Sequence, residues 1–183
     1  EHSVTAPVVA SLAAANPGLS VLQIDAHADL RNLFMGTTHN HACAMRRVLE
    51  YARCTQVAIR SLSPEEAEAA SSLPTTIFYD YNMRADPRWI DRVVDSLTNT
   101  VYITIDVDGF DPAIMPATGT PEPGGLSWYE MLALLRAVIE RRTVVGCDIV
   151  ELSPMAGNVA PNFLCAKLIY KILTYRFRHE LNR

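Results

Sequence analysis

The chain has no Cys-x-x-Cys pair. Its four cysteines, Cys43, Cys54, Cys147 and Cys165, lie singly, which excludes zinc ribbons and thioredoxin-type redox chemistry. No apolar run nears the roughly 18 residues of a membrane-spanning helix, and no signal-peptide pattern is present. No charge of one sign dominates: 20 acidic and 16 basic side chains leave a net charge of −4. Both signs are mixed along the chain, so neither nucleic acid nor a membrane is an expected partner. Internal repeats and low-complexity tracts are also missing. At 183 residues and 49% hydrophobic content, the chain is expected to form a single domain over 1–183 with a sizeable core. The cysteines read as buried free thiols in a reducing, cytoplasmic setting.

What is present alternates. Val4, Val8, Val9, Leu12 and Ala13 keep helical spacing until Asn16-Pro17-Gly18. A strand from about Val21 follows, then a loop over Leu30–Asn40 and a helix over Ala42–Ala52. Gln56–Arg60 reads as a strand, and Ser63-Pro64 as a helix start with Ser63 as cap. Thr75–Tyr81 is the next strand, and Asp86-Pro87 is expected to open a helix in the same manner. A buried strand over Val101–Asp108 leads into a Pro- and Gly-rich loop, Gly109–Leu126, of a length that is often functional. Ser127 caps a helix to about Arg141. A mostly apolar and therefore central strand spans Thr143–Leu152, and a last helix carries Phe163, Leu164, Leu168, Ile169 and Ile172. Apolar strands alternating with helices predict an α/β fold, a mostly parallel sheet with helices on both faces. Sites in such folds form outside the carboxyl ends of the strands.

Two acidic stretches sit at those ends: Asp25-Ala26-His27-Ala28-Asp29 and Asp106-Val107-Asp108-Gly109-Phe110-Asp111-Pro112. Extended backbone would turn Asp25, His27 and Asp29 to one face, and Asp106 with Asp108 to one face. Clustered carboxylates repel unless a cation compensates. Either triplet alone is often a turn or a helix cap. Both together, each after an apolar strand, point to metal. Several carboxylates with one or two imidazoles favour Mn²⁺ over the sulfur and nitrogen sites of zinc, and over Ca²⁺ or Mg²⁺. A pair of ions roughly 3.5–4 Å apart would hold one hydroxide between them.

These residues resemble the ureohydrolases, the family of arginase and agmatinase. The resemblance is carried by the two acidic stretches, by Asn40-His41-Ala42 and by Glu151-Leu152-Ser153-Pro154, in that order and spacing. Glu1-His2-Ser3 is similar to the end of the family's Gly-Gly-Asp-His-Ser motif, with Glu for Asp. The family has a further segment upstream, so the chain is expected to be incomplete at its amino end. The resemblance implies a three-layer α-β-α sandwich and a site of two Mn²⁺ ions bridged by hydroxide. His2, Asp25, Asp29 and Asp106 would hold one ion; Asp25, His27, Asp106 and Asp108 would hold the other. Asp29 would orient the hydroxide and take its proton, His41 would relay a proton to the departing amine, and Glu151 would pair with the substrate guanidinium. Trimers or hexamers are the family's usual homo-oligomers.

Leu30-Arg31, His41 to Arg47, Thr118 to Leu126 and Gly157 to Pro161 look most like agmatinases. The Asn- and Ser-containing loop with which arginases grip an amino acid's α-carboxylate is not found. Agmatine, cleaved to putrescine and urea, is therefore the expected substrate. 4-Guanidinobutyrate or arginine, or a non-catalytic relative that keeps the metal motifs, are the alternatives. Other polar residues read as structural. Asp111 precedes Pro112 in a turn, His39 is a loop residue, and Cys147 and Asp148 are framework. Glu151, read as part of a buried strand, would be costly unless paired.

Overall fold

A computed structural model describes residues 1–181. Five strands form one sheet: β1 (Ser20–Ile24), β2 (Arg53–Ile59), β3 (Thr75–Tyr79), β4 (Thr100–Asp106) and β5 (Thr143–Val150). All neighbouring pairs are parallel, in the order β3-β2-β1-β4-β5. The chain steps outward from β1 to β3, then returns to the other side of β1 as β4. That reversal opens a crevice between the carboxyl ends of β1 and β4.

Among the described residues, seven α-helices complete the layers: α1 (Thr5–Ala15), α2 (Ala44–Val48), α3 (Pro64–Ala70), α4 (Asp80–Arg84), α5 (Trp89–Ser96), α6 (Trp128–Arg141) and α7 (Ala160–Leu181). Successive strand residues point to opposite faces, so each face buries its own cluster. Val21 packs with Val9 of α1 and Met45 and Val48 of α2. Leu22 and Ile24 pack with Val93 of α5, Leu134 of α6 and Leu168 of α7. Each fully buried side chain of this size stabilises the fold by about 1.5–3 kcal/mol. The expected three-layer α-β-α arrangement is the observed one.

Local signals explain two helix starts. Ser63 Oγ accepts from Glu66 N at 3.3 Å while Glu66 Oε2 accepts from Ser63 N at 2.8 Å. Ser127 and Glu130 repeat this reciprocal cap at 3.3 and 2.8 Å.

Elsewhere the structure departs from the sequence expectation. β5 lies at the sheet edge and is largely half-exposed, because an apolar run does not by itself distinguish edge from centre. Cys147 on β5 is accordingly exposed, whereas Cys43, Cys54 and Cys165 are buried; all are free. Glu151 follows β5 rather than lying within a buried strand, and its side chain is 27% exposed. Tyr81 is not in a strand: β3 ends at Tyr79 and the short α4 begins at Asp80. Asp86 does not cap α5. Its carboxylate accepts from Arg88 N at 2.9 Å in a turn, and the helix starts at Trp89. The helix expected over Ala42–Ala52 is a tight 3₁₀ turn, His41–Cys43, followed by α2. No helix among the described residues is long and apolar enough to cross a membrane.

Candidate metal centre

Register alone brings the two acidic stretches together. Ile24 of β1 lies opposite Ile105 of β4, so the next residues, Asp25 and Asp106, emerge side by side at the crevice. β1 ends at Ile24, and simple alternation along a continued strand does not place His27 and Asp29. His27 forms an isolated bridge with Ser61 after β2. Asp29 sits in the left-handed region at φ 52°, which is costly for a residue with a Cβ. After β4 a 3₁₀ turn, Val107–Gly109, is capped by Asp106, whose carboxylate accepts from Asp108 N at 3.0 Å. Gly109 lets the backbones approach closely there: a Cβ would meet Asp25 N at 3.0 Å and Ile24 C at 3.1 Å, and backbone would have to give way. Asp108 Oδ1 in turn accepts from Ala26 N at 2.9 Å, tying the two stretches together.

Two groups of donors result, His2 with Asp25 and Asp106, and Asp25 with His27 and Asp108. Asp25 belongs to both. His2 arrives from the 3₁₀ turn ahead of α1 and is fully buried. Its Nδ1 lies 3.0 Å from Asp29 Oδ2, 3.2 Å from Asp25 Oδ2 and 3.5 Å from Asp106 Oδ2. The directions do not make hydrogen bonds, and Nδ1 is buried without a hydrogen-bond partner. A buried nitrogen facing three carboxylates in this way fits a cation between them. His27 Nδ1 lies 3.0 Å from Asp108 Oδ2 and 3.6 Å from Asp25 Oδ1.

The electrostatics carry the same message. Burial, then the charge of Asp25, push Asp29 up to about 7 against the pull of His2 and His27. Burial and the charges of Asp25 and Asp108 raise Asp106 well above the usual carboxylate range. Burial, followed by Asp25, also raises Asp108. Burial opposes charge on His27, yet Asp108 and Asp25 together push it up to about 11. Asp25 is also buried, but His2 and His27 hold it below the usual range. So many carboxylates cannot all ionise here without positive charge, and divalent ions would supply it.

A cavity of about 470 Å³ opens over the cluster, lined in part by His27, Asp29, His41, Asp106, Asp108 and Glu151. His41 does not cap the helix after it. It opens the 3₁₀ turn His41–Cys43, which Asn40 caps by accepting from Ala42 N at 3.1 Å, and α2 itself has no side-chain cap. The His41 ring, 46% exposed, stands edge-on to Phe34 with centroids 5.9 Å apart. Glu151 has a left-handed φ of 64°, and its Oε1 accepts from His2 N at 2.6 Å. His39 is exposed and bonded to Thr38, and Asp111 accepts from Ala113 N at 2.8 Å in a turn.

The sequence reading missed the residues that hold the donors. Gln23 Nε2 donates to Asp25 Oδ2 at 2.7 Å, and its Oε1 accepts from Gln56 Nε2, which also donates to Ala28 O at 2.6 Å. Arg60 Nη2 donates to Asp108 O at 2.7 Å and to Glu122 O at 2.9 Å, fastening the 109–126 loop to the turn that carries Asp108. Glu122 Oε1 stands 3.8 Å from His27 Nε2. Gln23 and Gln56 did leave a signal: each is a polar amide inside a buried strand, and they pair in register.

A sequence model described as the Arginase family matches residues 1–174. An N(1)-aminopropylagmatine ureohydrolase of Synechocystis sp. is 45% identical over 96% of this chain and 58% of that protein. An agmatinase of Pyrococcus horikoshii is 38% identical over 94% of this chain and 59% of its own. Among solved structures, the agmatine ureohydrolase of Thermoplasma volcanium superposes with a TM-score of 0.85 at 35% identity, over 98% of this chain and 62% of that one. The chain thus spans less than two thirds of the length of each of these relatives.

Proposed function

The chain belongs to the arginase family, and on that premise we propose that it hydrolyses a guanidino compound, agmatine, to urea and an amine. The observation that carries this reading is the buried, unpartnered Nδ1 of His2 facing Asp25, Asp29 and Asp106, with a second His and Asp group sharing Asp25. Two Mn²⁺ ions, held by His2, Asp25, Asp29 and Asp106 and by Asp25, His27, Asp106 and Asp108, would neutralise the carboxylates and lower the pKa of a water at neutral pH. Asp29 orients the attacking water and takes its proton. Glu151 pairs with the guanidinium, for which a carboxylate is the natural bidentate partner. His41, half-exposed beside the cavity, passes a proton to the departing amine. A homo-oligomeric, cytoplasmic enzyme is part of the same proposal.

A second reading changes only the substrate's tail. The Synechocystis relative is named for an agmatine extended by an aminopropyl group, and the cavity of about 470 Å³ over the cluster is lined by Arg31 and Phe34 as well as by the acidic residues. Urea release from agmatine, N(1)-aminopropylagmatine, arginine and 4-guanidinobutyrate with added Mn²⁺ tests both readings. Agmatine as the best substrate supports the first, and the aminopropyl compound as the best supports the second. No urea from any of the four, in a folded Mn²⁺-loaded sample, sinks the enzymatic reading.

A further inference from the structure

We propose that Asp148, read from sequence as framework, is a positioning residue that orients His2 through the hydroxyl of Thr104. The inference rests on the metal reading above and deepens it. Tyr102, Thr104 and Asp106 alternate along β4 and so share one face. Thr104 pairs in register with Asp148 of β5. Asp148 Oδ1 accepts from Thr104 Oγ1 at 2.5 Å, and its Oδ2 accepts from Tyr102 OH at 2.7 Å and from Thr5 Oγ1 at 2.8 Å. The Tyr102 ring reaches Asp148 across Gly146, where a Cβ would come within 2.9 Å of it.

Counting protons fixes the direction of the relay. A carboxylate only accepts, and a hydroxyl has one proton to give. Thr104 gives its proton to Asp148, so its oxygen must accept from His2 Nε2, 3.0 Å away. Thr5 likewise gives its proton to Asp148, and its 3.3 Å approach to Thr104 carries none. His2 therefore bears its hydrogen on Nε2, and the Nδ1 lone pair is the one presented to Asp25, Asp29 and Asp106. Both His2 and Thr104 are fully buried, so no water competes for these bonds. Thr5, three residues after His2 at the start of α1, is held by the same carboxylate. Asp148 thus sets both the ring's tautomer and the place of the backbone that bears it. An outer partner of this kind typically governs about 10- to 100-fold in metal affinity.

The test is Mn²⁺ titration of the metal-free protein, followed by calorimetry and by the electron-spin signal of the bound ion. Asp148→Ala also releases Thr5 and Tyr102 and can fail to fold. Thr104→Val is the sharper variant, since it keeps shape and leaves Asp148 its other two donors. It is expected to weaken one Mn²⁺ by about 10- to 100-fold and leave the other unchanged. Thr104→Ser should restore wild-type binding. Tyr102→Phe, which removes a donor to Asp148 that is off the path to His2, should bind both ions as wild type does. Unchanged binding by Thr104→Val, or equal weakening by Tyr102→Phe, overturns the relay alone. A wild-type protein that takes up no Mn²⁺ overturns the metal reading and the relay with it.

Discussion

His2 and His27 each face aspartates at the crevice, but in different surroundings. The His2 side chain is fully buried, while that of His27 is 25% exposed. Behind His2 stand Thr104 and Asp148, fixed on adjacent strands. His27 has only Glu122 at 3.8 Å on its far side, on the long loop after β4. A ligand held on all sides presents its nitrogen at little further entropic cost, whereas one facing a cavity is free to adjust. The His2 side should therefore be the tighter and slower-exchanging of the two, and the His27 side the more accessible to solvent and substrate.

Removing the shared ligand should break the comparison altogether. Asp25→Ala is expected to abolish both binding events in a Mn²⁺ titration, since Asp25 belongs to both donor groups. Retention of one tight ion would show that the groups are independent.

Truncating each histidine separates the two sides. His2→Ala and His27→Ala should each lose one ion. The buried His2 should also cost roughly 2 kcal/mol or more of metal-free stability, read by urea unfolding, because it leaves both a cavity and uncompensated carboxylates. His27→Ala should cost clearly less. Equal losses would erase the distinction.

Acidity should discriminate next. Asp29, beside His2, is pushed up to about 7 by burial and then by Asp25. Below that pH it holds a proton that an ion must displace. Mn²⁺ affinity on the His2 side should then fall by about tenfold per pH unit for each proton displaced. In the metal-free chain, a carboxylate raised from 3.8 to about 7 contributes stability that is complete below 3.8 and lost as pH rises through 7. The raised Asp106 acts in the same direction. Asp25, held low, contributes stability lost only as pH falls below the usual carboxylate range. The metal-free urea midpoint should drop between about pH 4 and 7, the span from the ordinary value of Asp29 to its raised one, and Mn²⁺ should flatten that slope. A flat metal-free profile would contradict the charge assignment.

Gln23→Leu should have a smaller effect, on both sides at once. It removes the donor to Asp25 Oδ2 and should weaken both ions by about tenfold at most. His39→Ala should be smallest of all, within about 0.5 kcal/mol in stability and with unchanged Mn²⁺ binding, since His39 is exposed and bonded only to its neighbours.

Much of this was legible in residues that act locally. Ser63 with Glu66 and Ser127 with Glu130 announce their helices because a cap needs only a side chain and the backbone three residues away. The acids after Ile24 and Ile105 mark strand ends because the apolar run stops there. What failed to show has an equally physical cause. β5 read as central because composition does not record which edge is covered. The α4 turn and the 3₁₀ turn at His41 are short enough for neighbours to decide. Asp29 and Glu151 adopt left-handed backbone that no propensity would assign to them.

The sequence by itself determined the inventory: which donors exist, that they follow apolar strands, and which family motifs they spell. Only the tertiary structure decided which donors meet. Parallel pairing of β1 with β4 sets Asp25 beside Asp106, and packing of the segment before α1 delivers His2 into the cluster. The pairing of Thr104 with Asp148 then turns the His2 ring toward it. Spacing within a few residues is governed by backbone geometry and can be read along the chain. Strand order and register follow from burying both faces of a sheet at once, a condition satisfied only by residues far apart in sequence.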